Sequence, residues 1–548
     1  MAGEAAEATG LASGRGGEGS AQGLDIARNA GLMICAAAAL LHVNFLVRGS
    51  VTYDGRTYFT LFDDAMISMR YAKTLAAGGG FTWNPGEIPL EGITNPLWTL
   101  WMALMHLVPV PEGFVALLVG LTSSACLIAT ALAARRLARQ LGAEETIALA
   151  AMGIVAFYYP LAFWSLRGME TGVLACLMAW GMVLAIEQLE APAQRRMAML
   201  AGLAATLVWV RQDAMVFVAV LAGFVWIAGD ARSRATAKVL ALTLVASLAV
   251  LTLVRLAYYG VALPNTYYLK VTGVTAGERL QRGIEMLFSE EMRGHLVVSV
   301  VVLVLSIPGI AFAARKVRFR MALPLAAFCA QAAYSAYVGG DVWELMGYPN
   351  RYIVIAMPGL LVLTMVLLAG LARQLAASAD GASAMHLDAA PLARVLLVAM
   401  TGLLFVQTSA RHVVAAAREG AAYVDYDRAA TQVGLCLRQS TTADARIAYT
   451  WAGSMPYYAD RFGIDLLGKM DAHIARAKPQ IAFVPGHNKW DYAYSIDTHK
   501  PDLIVQLFRA KPGDHVMIRA RGYEPADRAW PCLKNTFLEP ADVFVRKR

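Results

Sequence analysis

Eleven apolar stretches follow one another through the chain, near 28–46, 113–134, 146–163, 171–189, 197–210, 213–229, 239–258, 295–314, 321–338, 352–371 and 391–411. Each approaches the roughly 20 residues a helix needs to cross a bilayer. A chain patterned this way is predicted to fold as a multi-pass helical membrane bundle, because only there can so many apolar helices be accommodated. Composition agrees, since 58% of the 548 residues are hydrophobic and 16% are charged, against about 25% charged in soluble domains.

The basic residues decide sidedness. The net charge of +8 does not predict nucleic acid as a partner, because Lys and Arg gather at the ends of the apolar stretches. With the N-terminus inside, the cytoplasmic links carry Arg135, Arg136 and Arg139; Arg195 and Arg196; Arg232, Arg234 and Lys238; Arg315, Lys316, Arg318 and Arg320; then Arg373 and Arg394. The short outer links carry only Arg167, Arg211 and Arg351. Counting the short apolar piece Leu97–Val108 as a further span would invert this order against the positive-inside rule. It is therefore expected as an interfacial or re-entrant part of a first outer loop, 47–112. Met1 to Gly23 is rich in Ala, Gly, Glu and Ser and lacks a cleavable signal pattern, so 1–27 is expected as a disordered cytoplasmic tail.

With 28–411 as the membrane domain, the region 412–548 falls outside the cytoplasm. Its short apolar runs at 446–451, 480–484, 502–507, 515–519 and 542–545 read as strands, and 411–430 and 468–478 have helical character. An extracytoplasmic α/β domain follows, long enough to bury its own core. Cys436 and Cys532 could bridge there in an oxidising compartment, or stay as two buried thiols.

The chemistry-bearing residues collect on the outer side. Asp63 and Asp64 are adjacent acids just after the first span, where carboxylates are costly and usually functional. A partly desolvated carboxylate there suits a general base. The bland alternative is helix capping. Adjacent helical residues point about 100° apart, so the two cannot face one substrate equally; Asp63 is favoured as base and Asp64 as its support, with the choice open.

A lipid-linked phosphate at the bilayer surface would need cations and hydroxyls. Arg351, Lys270, Arg211 and Arg167 are the candidates, with Tyr267, Tyr268 and Tyr352 as donors, against the alternative of interfacial snorkelling. Glu170, Asp213, Asp341 and Asn95 are read as supporting residues. His473 and His487 are weaker acceptor candidates, a surface role being commoner for a lone histidine. No cofactor is assigned, although Glu170 or Asp341 with Asp63 or Asp64 could hold a divalent cation. There is no Walker loop, no GxGxxG after a strand, no HExxH and no GxSxG.

From about residue 58 on, the chain resembles the GT-C superfamily of polyprenyl-phosphate-sugar glycosyltransferases. More narrowly it resembles the terminal β-(1→2) arabinofuranosyltransferases of actinobacterial cell walls and relatives that decorate pilin. The residues carrying this are Asp63-Asp64 with Arg70-Tyr71; Asn84-Pro85-Gly86 and Glu91-Gly92-Ile93-Thr94-Asn95-Pro96-Leu97-Trp98; Arg167-Gly168-Met169-Glu170-Thr171; Tyr258-Tyr259-Gly260 with Leu263 to Lys270; Gly339-Gly340-Asp341 with Arg351-Tyr352; Ile464 to Gly468; and Pro485-Gly486-His487. The resemblance implies an all-α membrane bundle of about eleven transmembrane helices in a bacterial plasma membrane, with a C-terminal extracytoplasmic α/β domain that presents the acceptor. It implies inverting transfer of a pentose, D-arabinofuranose, from a polyprenyl-phosphate donor to a hydroxyl of a cell-envelope glycan or protein. Met169-Glu170 stands where such proteins tend to have Leu-Glu, and Arg211-Gln212-Asp213 where they tend to have Arg-Pro-Asp. A polyprenyl-phosphate hexose or aminosugar as donor, a lipid-linked sugar transporter, and a non-catalytic assembly protein are the rival readings.

Overall fold

Helices dominate the computed structural model, which describes residues 15–312, 315–382, 389–526, 533, 536–539 and 542–547. Helix lies over all eleven expected stretches. Among the described residues, seven helices are long and apolar enough to cross a membrane, or eight if Glu145–Ala156 and Tyr159–Leu166, bent by 45°, form one span. The expected count of eleven is therefore not reproduced. Pieces such as Gln212–Ala228 and Leu296–Pro308 fall short of the length a span needs. Leu242, Val245 and Leu253 of Ala231–Tyr259 are well exposed, as a lipid-facing flank requires. The chain is a multi-pass membrane protein.

The expected tail is helical from Arg15, where the first long helix, Arg15–Arg48, starts; residues 1–14 lie outside the described residues. A β-hairpin, Ser50–Tyr53 with Arg56–Phe59, follows. It was not foreseen, yet Asp54 and Gly55 both have positive φ, 48° and 70°, as the common two-residue hairpin turn demands. Helix Pro96–His106 has 11 residues, or about 16 Å at 1.5 Å per residue, too short to span.

The C-terminal region carries a five-stranded sheet in the order Phe462–Asp465, Arg446–Tyr449, Leu503–Val505, Val543–Arg546, Tyr523–Pro525. The first three strands are parallel, and Val543–Arg546 pairs antiparallel with both Leu503–Val505 and Tyr523–Pro525. Ile447 and Tyr449 pack into one apolar cluster and Ala448 into another on the opposite face, as the period of two dictates. Two expected strands are absent: 480–484 is irregular, and 515–519 lies in helix Pro512–Ala520, where Pro512 opens the first turn. The strands Phe462–Asp465 and Tyr523–Pro525 were missed. The last apolar helix continues through a π-turn, Val406–Ala410, into Arg411–Glu419 and ends at Gly420, φ 101°, so the division placed after residue 411 falls inside a helical run. Cys436 is disulfide-bonded; Cys532 lies outside the described residues.

What positions the site is the clamp between this region and the first loop. Arg70 donates to the carbonyls of Trp83, Pro456 and Arg461 and to Asn84 Oδ1. Asn84 exchanges two 2.9 Å hydrogen bonds with the Gly463 backbone. The Asn84-Pro85-Gly86 motif is therefore a docking element.

Candidate active site

Helix Asp63–Ala76 begins without a side-chain cap, and its two first-turn acids turn to different surroundings. Asp64 lines a cleft of about 720 Å³, counting its open mouth. Asp64 Oδ2 accepts from Arg351 Nη1 at 2.9 Å and from Trp343 Nε1 at 3.3 Å, and Oδ1 accepts from Lys469 Nζ at 2.7 Å. Burial pushes its proton affinity up, but Lys469 and Arg351 outweigh burial and hold the carboxylate well below its ordinary pKa. Asp63 is buried and does not line the cleft. Its Oδ1 accepts from Ser454 N at 2.8 Å, and burial, followed by the charge of Asp64, raises its pKa to about 6.

Asp63, favoured as base on the sequence, is desolvated. It is desolvated by the docked C-terminal region, whose Gly453 leaves no room for a Cβ against it. A second carboxylate, Asp341, takes Arg351 in a fork, Nε to Oδ2 at 2.6 Å and Nη2 to Oδ1 at 2.8 Å. Burial opposes ionisation of Asp341, but Arg351 lowers its pKa. Behind it Glu344 caps the turn, accepting from Asp341 N at 2.9 Å and Asn350 Nδ2 at 2.5 Å. Burial and the Asp341 charge raise Glu344 to about 7.

Glu170 and Arg211 form the opposite wall. Glu170 Oε1 accepts from Arg211 Nη1 at 2.5 Å, Glu170 Oε2 accepts from Asn95 Nδ2 at 2.8 Å, and Arg211 Nε also reaches Asp213 at 2.9 Å. Lys270 differs from the other cations of the cleft. Its ammonium donates only to Tyr352 Oη, at 3.3 Å, and has no carboxylate within 4 Å among the described residues. Such an ammonium is ready for an anion. A second, largely apolar cavity of about 1120 Å³, counting its open mouth, shares Thr94, Arg211, Thr266, Lys270 and Tyr352 with the cleft and is further lined by Asp213, Tyr267 and Tyr334.

The cleft is roofed by the C-terminal region, through Lys469 and Pro485-Gly486-His487. Burial, then the Lys469 charge, lowers His487 to about 4, which leaves its imidazole neutral. Asn265 holds roof to wall, its Nδ2 donating to the carbonyls of Gly468 and Lys469, both at 2.9 Å.

The structure brings Asp64, Asn95, Glu170, Arg211, Lys270, Asp341, Arg351 and His487 to one cleft. Tyr352 lines the cleft as well, whereas Asp63, Arg167, Asp213, Tyr267, Tyr268 and His473 do not. Arg167 is buried against Asp427 and donates to Ala422 O, with its guanidinium over Phe62 and Phe163. Tyr268 carries the Arg476 guanidinium on its ring, and His473 stacks on Tyr494 half-exposed at the surface. The divalent-cation grouping is not formed, because Asp341, Glu170 and Asp64 each lie against a guanidinium or ammonium and no three metal-ligating acids, histidines or cysteines converge among the described residues. Lys469 was missed, although it directly follows the Ile464–Gly468 motif.

The bundle of apolar helices, with a large structured first loop whose acids lie under a small C-terminal domain, shares its fold with solved glycosyltransferases of the GT-C type. Crystal structures of ArnT from Cupriavidus metallidurans, in the apo state and bound to undecaprenyl phosphate, both align with a TM-score of 0.54 and 12% identity, over 91% of this chain and 96% of that one. The Archaeoglobus fulgidus oligosaccharyltransferase tethered with an acceptor peptide aligns with a TM-score of 0.48 and 12% identity, over 79% of this chain and 64% of that one. Residues 417–543 match a family model described as a domain of unknown function, DUF8728. No curated protein matches the chain.

Proposed function

We propose that the protein is a GT-C glycosyltransferase that moves a sugar, D-arabinofuranose, from a polyprenyl-phosphate donor to a hydroxyl of a cell-envelope glycan or protein, with inversion. The observation that carries this is Asp64 held between Lys469 and Arg351 in a cleft whose remaining lysine, Lys270, has no carboxylate within 4 Å among the described residues. One carboxylate and a free ammonium are the two charges the reaction needs. The acceptor oxygen attacks the anomeric carbon, its proton passes to an Asp64 oxygen, and the bond to the phosphate oxygen breaks. The departing lipid phosphate is stabilised by Lys270, with Arg351 able to share the charge. Asp64 is preferred over Asp63 because it lines the cleft.

The likeness in fold to a protein solved with undecaprenyl phosphate supports a lipid-phosphate donor. The apolar cavity that shares Lys270 and Tyr352 with the cleft supports it further, since a prenyl chain needs an apolar channel beside its phosphate. Arabinofuranose rests on the sequence resemblance. Extracytoplasmic placement is supported by the arginines at the far end of the bundle, where Arg135, Arg136, Arg139 and Arg320 share one groove.

The test is transfer by the purified protein from a panel of polyprenyl-phosphate sugars. Product from the arabinofuranose donor supports the whole reading. Product from a hexose or aminosugar donor alone replaces the sugar and keeps the enzyme class, and no product with any donor from correctly inserted protein overturns the enzyme.

A further inference from the structure

The three parallel strands of the C-terminal sheet end toward the cleft. The segment after Arg446–Tyr449 places Ser454 N on Asp63, and the segment after Phe462–Asp465 places Lys469 on Asp64. The third segment, after Leu503–Val505, contains Gln506 and Phe508. Arg446–Tyr449 lies between the other two strands. From its end the chain turns to the strand on one side, whereas from Val505 it leaves for the antiparallel strands on the other. Neighbouring parallel strands whose connections diverge leave a crevice beyond their carboxyl ends, and open α/β sheets bind ligands there.

We infer that this crevice is the acceptor subsite, a stacking shelf for a glycan ring built from Trp451 and Phe508 and joined to the catalytic cleft by His487. The inference rests on the transferase reading above and adds where the acceptor lies.

Three observations carry it. The rings are contiguous, with Trp451 and Phe508 centroids 6.0 Å apart and His487 at 5.8 Å from the first and 6.3 Å from the second. Trp451 and Phe508 keep part of their surface open, while His487 lines the cleft. The shelf is also held rigid at a conformational cost. Gln506 and Arg509 adopt left-handed backbone, φ 60° and 51°, without being glycine, a strained state that persists where surrounding contacts enforce it. At Gln506 those contacts are Trp451 Nε1 to its Oε1 at 3.0 Å and Thr450 Oγ1 to its carbonyl at 2.9 Å. Trp451 and Phe508 meet edge to face, at 82°, with the Arg509 guanidinium 5.6 Å over the Phe508 ring. An aromatic corner bordered by a cation suits the C–H face and hydroxyls of a sugar ring, and the neutral imidazole of His487 offers a hydrogen-bonding group on the way to Asp64.

The test uses the full chain in nanodiscs with an octyl glycoside of an arabinofuranose disaccharide as acceptor probe. Trp451→Leu and Phe508→Leu keep apolar bulk and remove the planar face. Each is expected to raise the acceptor KM about tenfold, with donor KM and kcat at saturating acceptor within twofold of wild type. Unchanged acceptor KM in both, or an equal change in donor KM, overturns the shelf. Should Trp451→Leu fail to fold, 5-fluorotryptophan-labelled wild type, with the Trp451 resonance assigned through Trp451→Phe, supplies the readout. The resonance should shift as the probe is titrated, and no shift at saturation overturns the shelf. Wild type that transfers while the variants behave normally refutes the shelf alone. Wild type that transfers from no donor yet shows the Trp451 shift refutes the transferase reading alone.

Discussion

Asp64 Oδ1 and Lys469 Nζ meet at 2.7 Å although 405 positions separate them in the chain. The contact joins the first loop to the C-terminal region at the point where a proton would be taken up. It also depresses the basicity of the group proposed to take it. Binding of an anionic donor phosphate would draw the cleft cations toward itself and restore basicity when it is needed.

Replacing Lys469 by Met removes the nearer of the two cations. Asp64 is held deprotonated by Lys469 and Arg351 against the pull of burial, so loss of Lys469 raises its pKa. The acid limb of the kcat/KM profile, where the free enzyme's base is protonated, should move to higher pH. A profile carried down well below pH 3.8, where the wild-type limb falls, measures this, and an unmoved limb would remove Asp64 from the role of base.

Asp64→Asn should cost about 10²–10⁴ in kcat, the usual contribution of a general base. The amide keeps an acceptor for Trp343 and Arg351, and donor affinity should change little. Transfer rates and donor binding measured on the same preparation separate chemistry from binding. Near-normal kcat would contradict the mechanism.

Asp63 behaves in the opposite sense. Its folded pKa is about 6, above the unfolded value near 3.9. The native state therefore holds the proton more tightly, and the stability this confers is present below about pH 4 and lost as pH rises through about 6. Asp63→Asn, which mimics the neutral form and keeps a carbonyl toward Ser454 N, should raise Tm at pH 8 and flatten its pH dependence. The stabilisation should be roughly 1–3 kcal/mol at most, from two pKa units at about 1.4 kcal/mol each. Transfer activity should stay within about tenfold of wild type. Thermal unfolding at pH 5 and pH 8 checks the first claim, and a lower Tm at pH 8 would refute it.

The bundle was legible because apolar stretches and clustered arginines obey bilayer physics wherever the helices pack. The span count was less so. Pro160 opens a new helix after a break, and local hydropathy does not register a 45° bend. Of the candidate cations, Lys270 and Arg351 could be named because each follows a polar motif beside an apolar stretch. Arg167 fits that description equally well and is instead buried in a structural pair with Asp427. Lys469 lies in a polar region rich in lysines and arginines, where only the docking of Asn84 on Gly463 and Asn265 on Gly468 singles it out. The same docking separates Asp63 from Asp64, a distinction that spacing alone does not contain.

Arg351 offers the sharpest test of preorganisation. One guanidinium makes a two-bond fork to Asp341 and a third bond to Asp64, a geometry that only a planar multi-donor head provides. Arg351→Lys keeps the charge but can hold one acid well and the other poorly, so kcat/KM should fall about 10²-fold or more, with the loss mainly in kcat. Asp341→Asn leaves Arg351 charged with only Asp64 to pair it, and should cost a similar amount. Since Asp341 acts through Arg351, the double variant Arg351→Lys with Asp341→Asn should lose less than the sum, with a coupling of roughly 1–3 kcal/mol, the range found for residues within one ion-pair network. Additive losses in the measured cycle would mean that Asp341 and Arg351 serve the cleft independently.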